Sequence, residues 1–426
     1  MNPASFKHLL LGYPLVRTLW VSETIKAFGS YFFNIAVMWY VFTQTGSGLA
    51  MGFVVVANFV PTLVFGPWFG VLADRHSRRG LMVWANLSSA VLAGLLAALV
   101  LGHFDLIGLV YVIRGLMGVA STLYDPARAA ILPDLVRPDD VLTAHALFHS
   151  SQQVARLIGA AVGGLAVALV GVGLTMTFDV ATLTIAGLLV ARLSEHRSHR
   201  AKTAESRSSS WASAREGWQW IRQRPVLLVR MGIAMVSNIA LGPTNVLPPM
   251  LIRDTFHASA NALGFFDAAI GLGIVGGGGI IGMMSIRRLG LSMALALGLE
   301  TLGLLVVATS PTPWVADLGN FLLGVGLVTA NAPSETMMQT LVPGDLLGRV
   351  SAFSAMTAGL AVPITFGGVG LVGNAIGAHR SFGLAAMLMA LTVLITLLVP
   401  SIRHFELARE TEVPKCPSSP PLSHKA

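Results

Sequence analysis

The chain holds one cysteine, Cys416, among 426 residues. A single thiol can neither close a disulfide within the chain nor complete a cysteine metal site. Charge is scarce as well. Asp, Glu, Lys and Arg make up 11% of the residues, where soluble domains carry roughly 25%, too few to coat a water-facing surface of this length. Aromatic residues stand at 8%, and no basic groove with interleaved aromatics occurs, which argues against nucleic acid as a partner despite a net charge of +8. The 11 histidines never take the H-E-x-x-H spacing of a metal-dependent hydrolase. The run GIVGGGGIIG (Gly273 to Gly282) lacks the lysine of a phosphate-binding loop and lies inside an apolar stretch. It reads as a place where helices approach closely. No motif here points to an enzyme, a metal site or a cofactor.

What is present instead is apolar. Hydrophobic residues make up 54% of the chain, and the mean hydropathy is +0.72. A helix needs about 20 mostly apolar residues to cross the hydrocarbon core. Twelve such runs occur, at residues 19–42, 49–72, 81–101, 106–124, 147–170, 174–193, 226–252, 260–284, 291–309, 314–332, 350–373 and 381–399. The seventh, eighth and eleventh are interrupted by Gly or Pro, which a bundle tolerates when neighbouring helices satisfy the freed backbone. The ten-residue alternation of a membrane β-barrel is missing. The stretch MNPASFKHLLLGYPLVRTLW lacks the short apolar core and small-residue cleavage site of a signal peptide. The expected fold class is an all-α membrane protein with twelve transmembrane helices.

Twelve crossings place both termini on one side. If that side is the cytoplasm, the outer loops hold only Arg253 and Arg380, and Lys26, Arg114 and Arg156 lie inside runs. The rest of the 28 Lys and Arg then sit on the inner side, as the positive-inside rule requires. The expectation is a multi-pass protein of the inner (cytoplasmic) membrane with both termini cytoplasmic. Residues 194–225 form a Ser-rich basic linker. Within it Trp211, Ala214, Trp218 and Ile221 share one face, which predicts a short amphipathic helix on the inner leaflet near Arg215, Arg222 and Arg224. The linker separates a six-helix bundle at 1–193 from another at 226–400, and a polar tail at 401–426 is expected to be disordered. LVRPDDVLTAHAL (135–147) and LVPGDLLGRVSAF (341–353) occupy the same place in each half, as two parallel repeats would have it.

One knot of charge interrupts the apolar pattern. GPWFGVLADRHSRRG (66–80) places Asp74, Arg75, Arg78 and Arg79 behind Gly70. Its core, GVLADRHSRRG, resembles motif A of the major facilitator superfamily, G-x-L-A-D-R-x-x-R-R/K, and falls where that motif belongs, between the second and third helices. TGSGLAMG (45–52), YDPARAAILPDLV (124–136), FDVATL (178–183) and LVPGDLLGRV (341–350) resemble the branch that contains macrolide-efflux and siderophore-export proteins. The resemblance implies the major facilitator fold, with a central cavity lined by helices one, four, seven and ten. It also implies export of small amphipathic, drug- or macrolide-like molecules in exchange for protons, by a monomer in the bilayer without a cofactor. A dedicated exporter of an endogenous siderophore or other metabolite is the second reading. A lipid flippase or a non-transporting sensor is a reading of another class, although a sensor would not need the knot.

The family places Asp74 against the start of helix eleven, here near Gly348, Arg349 and Val350. Arg78 and Arg79 are expected to pair with Asp125 at the inner end of helix four. Such a cluster would lock the inner side while the outer side is open; the alternative is that these charges only stop helix two and set topology. A charge at the bilayer centre costs about 2.5–3.5 kcal/mol on insertion scales and marks a functional group by default. Arg114 lies about 12 Å inside its run at 1.5 Å per residue. Its segment RGLMG resembles motif B, R-x-x-Q-G, whose arginine is associated with proton coupling; Met117 replaces the glutamine. GAAVGG (159–164), after Arg156, resembles the exporters' motif C, with Ala160 for the proline, or else serves close packing. Asp267, expected to face Arg114, and Glu300 are deep enough to carry a proton. Glu23 is shallower and shares a face with Lys26. Asp179 is read as structural, and Asp317 as stabilising a first turn. Asn34, Asn238, Asn245 and Asn320 are the polar groups expected in the cavity.

The topology has a direct check. A thiol introduced at Ser47 or Pro311 is expected to react with a membrane-impermeant reagent from outside, and one at Ser77 or Ser206 only from inside. Labelling of position 206 from outside in intact cells would overturn the orientation.

Overall fold

The computed structural model describes residues 3–104, 106–137, 140–193, 218–283, 288–342, 350, 365–403 and 405. The long elements are all helices: α1 (Pro14–Thr45), α2 (Gly48–Arg75), α3 (Arg78–Leu101), α4 (Ile107–Leu135), α5 (Val141–Val170), α6 (Val172–Ala191), α7 (Pro225–Ala240), α8 (Ala260–Met283), α9 (Leu289–Thr309), α10 (Pro313–Leu341), α11 (Thr365–Ile376) and α12 (Ala378–Leu398). Among the described residues, eleven helical stretches are long and apolar enough to cross a membrane. Most of the first half of the eleventh expected run lies outside the described residues, and α11 is its remainder.

Local chemistry explains the boundaries. α1 stops at Gly46, whose left-handed φ of 60° suits glycine, and the Ser47 hydroxyl then accepts the N–H of Ala50 to start α2. The seventh span is broken. After α7 come two short helices, Gly242–Val246 and Pro248–Met250, and a π turn, Leu251–Thr255. Pro243, Pro248 and Pro249 have no N–H, so the ladder cannot run through. Two spans outlast their apolar runs. α4 continues past Tyr124 through Pro126 and Pro133 to Leu135, and α10 past Ala332 through Pro333 to Leu341. Hydropathy reads these charged ends as loops, but their side chains find partners on neighbouring helices, so the helix persists.

The packing divides into two sets. In the first, α1 packs on α5 and α6, α2 on α4, and α3 on α4 and α6. In the second, α8 packs on α10, α9 on α10 and α12, and α7 on α12. The pairs α2–α4, α3–α4, α3–α6 and α1–α6 thus recur as α8–α10, α9–α10, α9–α12 and α7–α12. Among the described residues the sets are joined by α5 on α8, and by α2 on α11 where Gly52 lies against the Phe366 carbonyl.

Among the described residues, the close contacts between the sets gather at the end away from the chain termini, the distal end. A Cβ placed on Gly164 of α5 would stand 2.6 Å from the Gly264 Cα of α8, so only glycine lets these backbones meet. The Gly48 N–H donates to Asn374 Oδ1 at 2.6 Å, and Asn374 Nδ2 donates to the Ser47 hydroxyl at 2.9 Å. Arg253 donates to the Phe42 carbonyl at 3.4 Å, with its guanidinium 5.8 Å from that ring.

At the proximal end each set is tied to itself. The Tyr13 hydroxyl donates to Asp140 at 2.7 Å, a bond that raises the phenol's pKa, and Trp20 Nε1 donates to Ser151 at 2.6 Å. Of the predicted amphipathic face, Trp211 and Ala214 lie outside the described residues. In the helix at 218–222, Ile221 is fully buried with Leu227, Met338 and Val342, while Trp218 is exposed. The arginine–tryptophan stack there is Arg224 on Trp220, 3.7 Å from the ring centroid. This segment docks on the second set rather than lying free on the leaflet, because Ile221 finds an apolar socket there. The chain also stays folded past residue 400. Ile402 is fully buried, and the Gly290 N–H donates to the Phe405 carbonyl at 3.4 Å, so two apolar anchors cover the start of α9.

Gly164→Val tests the distal contact. Overpacking costs about 1–3 kcal/mol. The expected results are a lower thermal midpoint in detergent and faster distal-side labelling of a thiol placed at Asn34. Wild-type values for both would mean that α5 and α8 are held apart by something else.

Candidate functional site

Beneath the distal contacts, between the two sets, lies a cavity of about 200 Å³. α1 contributes Tyr31 and Asn34, α5 contributes Arg156, the broken seventh span Thr244 and Asn245, and α8 Asp267. The break at Pro243 and Pro248 turns the short Gly242–Val246 helix so that two polar residues reach this space. Arg156 and Asp267 carry opposite charges and lie within each other's field. Even so, among the described residues neither makes a hydrogen bond or an ion pair.

Of the asparagines expected in the cavity, Asn34 and Asn245 line it. Asn238 lines a separate, smaller space described below. Asn320 lines neither. It is 1% exposed, and its Nδ2 donates to the Phe266 carbonyl at 2.6 Å, so it is a packing bond between α10 and α8.

Arg114 does not meet Asp267. Its Nη2 donates to Asn34 Oδ1 at 3.5 Å, its guanidinium lies 5.6 Å from the Phe33 ring, and the acid whose charge it feels is Asp179. The reason is packing: α4 sits against α2 and α3, which turns Arg114 toward the interior of the first set, while Asp267 reaches into the space between sets. Asp179 is 1% exposed, accepts a hydrogen bond from Thr182 at 3.1 Å, and feels both Arg114 and Lys26. An acid in the middle of an apolar run was the available signal.

Glu23 is the centre of a second group. It accepts hydrogen bonds from the Tyr124 hydroxyl and from Gln152 Nε2 at 3.4 Å, and Arg128 Nε lies 3.8 Å away. Lys26 Nζ stands 3.1 Å from the Tyr124 ring centroid. Lys26 therefore shares Glu23 with Tyr124, Gln152 and Arg128 instead of neutralising it alone. Asp125 belongs to this group too, feeling Lys26 and Arg128.

The charge knot is wired differently from its expectation. Arg78 pairs with Asp134 and donates to the Ala130 carbonyl at 2.8 Å, and Arg79 donates to the Leu193 carbonyl at 3.0 Å. Asp125 is not the partner. The extension of α4 to Leu135 carries Asp134 about 13 Å further along the helix, level with the start of α3. α2 runs through Arg75, so Asp74 is in its last turn and not beyond its end. The side chains of Asp74 and Arg75, the surroundings of Gly70, and Gly348 and Arg349 lie outside the described residues.

Glu300 faces inward. It is 2% exposed and looks into a space of about 90 Å³ shared with Ser237, Asn238, Asn331 and Ser334. Its Oε2 has no hydrogen-bond partner among the described residues. Arg230, which also lines that space, is taken by Glu335 at 3.0 Å and by the Ser334 carbonyl at 2.9 Å. Glu300 is thus a lone acid at hydrocarbon depth, where an unpaired carboxylate is costly.

A helical bundle in two sets, with a polar cavity between them and ionisable groups at membrane depth, is the build of a solute carrier. The family model of the Major Facilitator Superfamily matches residues 19–366, and the chain belongs to that family. It is a membrane transporter and not an enzyme. Macrolide efflux protein A of Streptococcus pyogenes is 23% identical over 410 residues, covering 92% of this chain and 97% of that one. Among solved structures, the nucleoside transporter NupG matches with a TM-score of 0.69 at 14% identity, covering 90% of this chain and 98% of NupG. A bacterial homologue of the iron transporter ferroportin matches with a TM-score of 0.68 at 15% identity, covering 90% and 98%.

Glu23→Gln removes the shared anion from Tyr124, Arg128 and Lys26. Hydrogen bonds to charged groups are worth about 1.5–3 kcal/mol, so a loss of that size is expected in detergent unfolding. Tyr124→Phe, which keeps the ring beside Lys26, is expected to lose less. Equal stability in all three proteins would remove this group from the account of the fold.

Proposed function

We propose that the chain exports small amphipathic molecules by alternating access between two six-helix halves, in exchange for protons. The observation that carries this reading is the central cavity. It is built from both sets of helices and closed over at the distal end, so a rocking motion of the sets would expose it to one side at a time. The recurring helix pairs support twelve crossings in two parallel repeats. The basic residues support an inner-membrane protein with both termini cytoplasmic, working as a monomer. In that orientation the distal contacts shut the cavity from the outside. The likeness to a macrolide efflux protein supports the outward direction of transport. The gate toward the cytoplasm is the knot of Asp74, Arg75, Arg78 and Arg79 with Gly348 and Arg349.

The cavity's polar lining favours the second reading within this function, a dedicated exporter of one endogenous product. A multidrug pocket is apolar and adaptable, whereas Arg156, Asp267, Asn34 and Asn245 are polar partners on fixed helices. Of the groups proposed for proton coupling, Arg114, Asp267, Glu23 and Glu300, the last has the simplest case. Among the described residues, Arg230, a cation lining its space, is held by Glu335 and the Ser334 carbonyl, so the neutral acid is the form its surroundings accept, and any motion that wets its space lets the proton leave.

Export assays with a broad compound panel in a pump-deficient host, followed by proteoliposomes, test the function. The wild-type chain is expected to accumulate its substrate against a gradient when driven by pH alone. Glu300→Gln is expected to keep downhill movement and lose pH-driven accumulation. A wild-type chain that moves no compound uphill under a pH gradient would overturn proton-driven export. A Glu300→Gln protein that still accumulates substrate would move the proton site to Glu23, Asp267 or the neighbourhood of Arg114.

A further inference from the structure

We infer that the central cavity is built for a small zwitterion, whose cationic group docks on Asp267 and whose anionic group docks on Arg156. This rests on the reading of that cavity as the substrate site and names the chemistry the site selects.

The argument starts from how charge is treated elsewhere in the bundle. Glu23 has Tyr124, Gln152 and Arg128; Arg230 has Glu335 and a carbonyl; Arg114 has the Asn34 amide. An ionised group at this depth is expensive unless it is paired. Glu300 departs from that pattern alone, whereas Arg156 and Asp267 depart from it together. They line the same cavity of about 200 Å³, feel one another's charge, and make no bond to another described residue. Two opposite charges facing across an open space are complementary to a molecule that carries both signs.

The helix geometry sets their backbones at different levels. Gly164 and Gly264 pin α5 to α8 at the distal end. Arg156 lies eight residues before Gly164 and Asp267 three residues after Gly264, both toward the proximal side. At 1.5 Å per residue their backbones differ by about 7.5 Å in level. That offset suits charges separated by several bonds, as in a dipeptide or an ω-amino acid, better than the adjacent charges of an α-amino acid. Asn34 and Asn245 line the same cavity with one amide atom each uncommitted among the described residues, the Asn34 Nδ2 donor and the Asn245 Oδ1 acceptor, and Tyr31 lies within the field of both charges.

The placement also explains selectivity. A monocation would satisfy Asp267 and leave Arg156 unpaired in a closing cavity, and a monoanion would do the reverse. Leaving a buried charge without its partner is what makes a site reject a near analogue. Arg156 travels with the first set and Asp267 with the second, so a ligand holding both ties the halves together around itself.

The test uses the purified full chain in detergent and reads ligand-dependent thermal midpoints, which rise as ligand binds the native state. The probes are 6-aminohexanoate and glycylglycine, with hexanoate, hexylamine and glycine as controls. The two longer zwitterions are expected to bind at least about tenfold more tightly than any control, a tenfold step being one strong contact's worth. Arg156→Gln is expected to erase the advantage over hexylamine, and Asp267→Asn the advantage over hexanoate. Arg156→Lys, which keeps the charge, should retain part of the preference and shows that a loss in Arg156→Gln is not misfolding. Equal binding by hexylamine or hexanoate, or a zwitterion preference that survives both Arg156→Gln and Asp267→Asn, overturns the inference. Ethidium binding that falls in Asn34→Ala and Asn245→Ala but ignores Arg156→Gln would also overturn it, while leaving the cavity as the substrate site. If no probe depends on any of these four residues, the cavity reading falls as well.

Discussion

Lipid cannot hydrate a charge, and that one constraint organises this bundle. Every ionised side chain at membrane depth must find its partner on another helix, so the buried charges act as ties. Glu23 with Tyr124 and Arg128 fastens α1 to α4, the buried Arg230 reaches the more exposed Glu335 and fastens α7 to α10, and Arg78 with Asp134 fastens α3 to α4 at the more exposed proximal end. Each of these ties joins helices of the same set. Among the described residues, charges without such a tie include Arg156 and Asp267 in the central cavity and Glu300 in its own space, and these are where the molecule has something other than self-assembly to do.

The seam between the sets is made of different material. Gly164 on Gly264, and Ser47 and Gly48 on Asn374, are small-residue contacts and neutral hydrogen bonds at one end of the bundle. Van der Waals contact between glycines holds helices close without side chains that must be unpacked when they part. Neutral hydrogen bonds at a wetted end can be exchanged for water at little net cost. Among the described residues, the ion pairs lie inside each set, and the sets meet through glycine contacts, neutral hydrogen bonds and the Arg253 bond to the Phe42 carbonyl, a join that can open as domain motion in a transporter requires.

Much of this was legible in the residues alone. The apolar runs located the spans because hydropathy adds up residue by residue, and the motif A pattern led to the family that the match over residues 19–366 then gave. The ends of α4 and α10 were not legible, because a charged stretch beside a membrane reads as loop until its partners on other helices are known. Pairings failed for the same reason. Arg114 was expected opposite Asp267 and lies toward Asn34 and Asp179; Arg78 was expected on Asp125 and sits on Asp134; Asn320 was expected in the cavity and bonds Phe266 instead. Depth along one helix follows from counting, but which way a side chain faces depends on how each helix is rotated against its neighbours, and no single run records that. GAAVGG shows the opposite case: small residues in a row carry a reading that does not depend on rotation, and Gly164 is indeed in backbone contact.

The broken seventh span carries a consequence for how such a cavity can diversify. Pro248 and Pro249 supply no N–H to the carbonyls four residues earlier, those of Thr244 and Asn245, two residues that line the cavity. The bend that the prolines impose does not depend on the side chains at 244 and 245. Substitution there can redraw the lining while the bend that aims both positions at the cavity persists for as long as the prolines do. Descendants of such a protein can therefore change what they prefer without losing the shape of the site, and the heritable unit of that constancy is the proline pair and not the residues that touch the cargo.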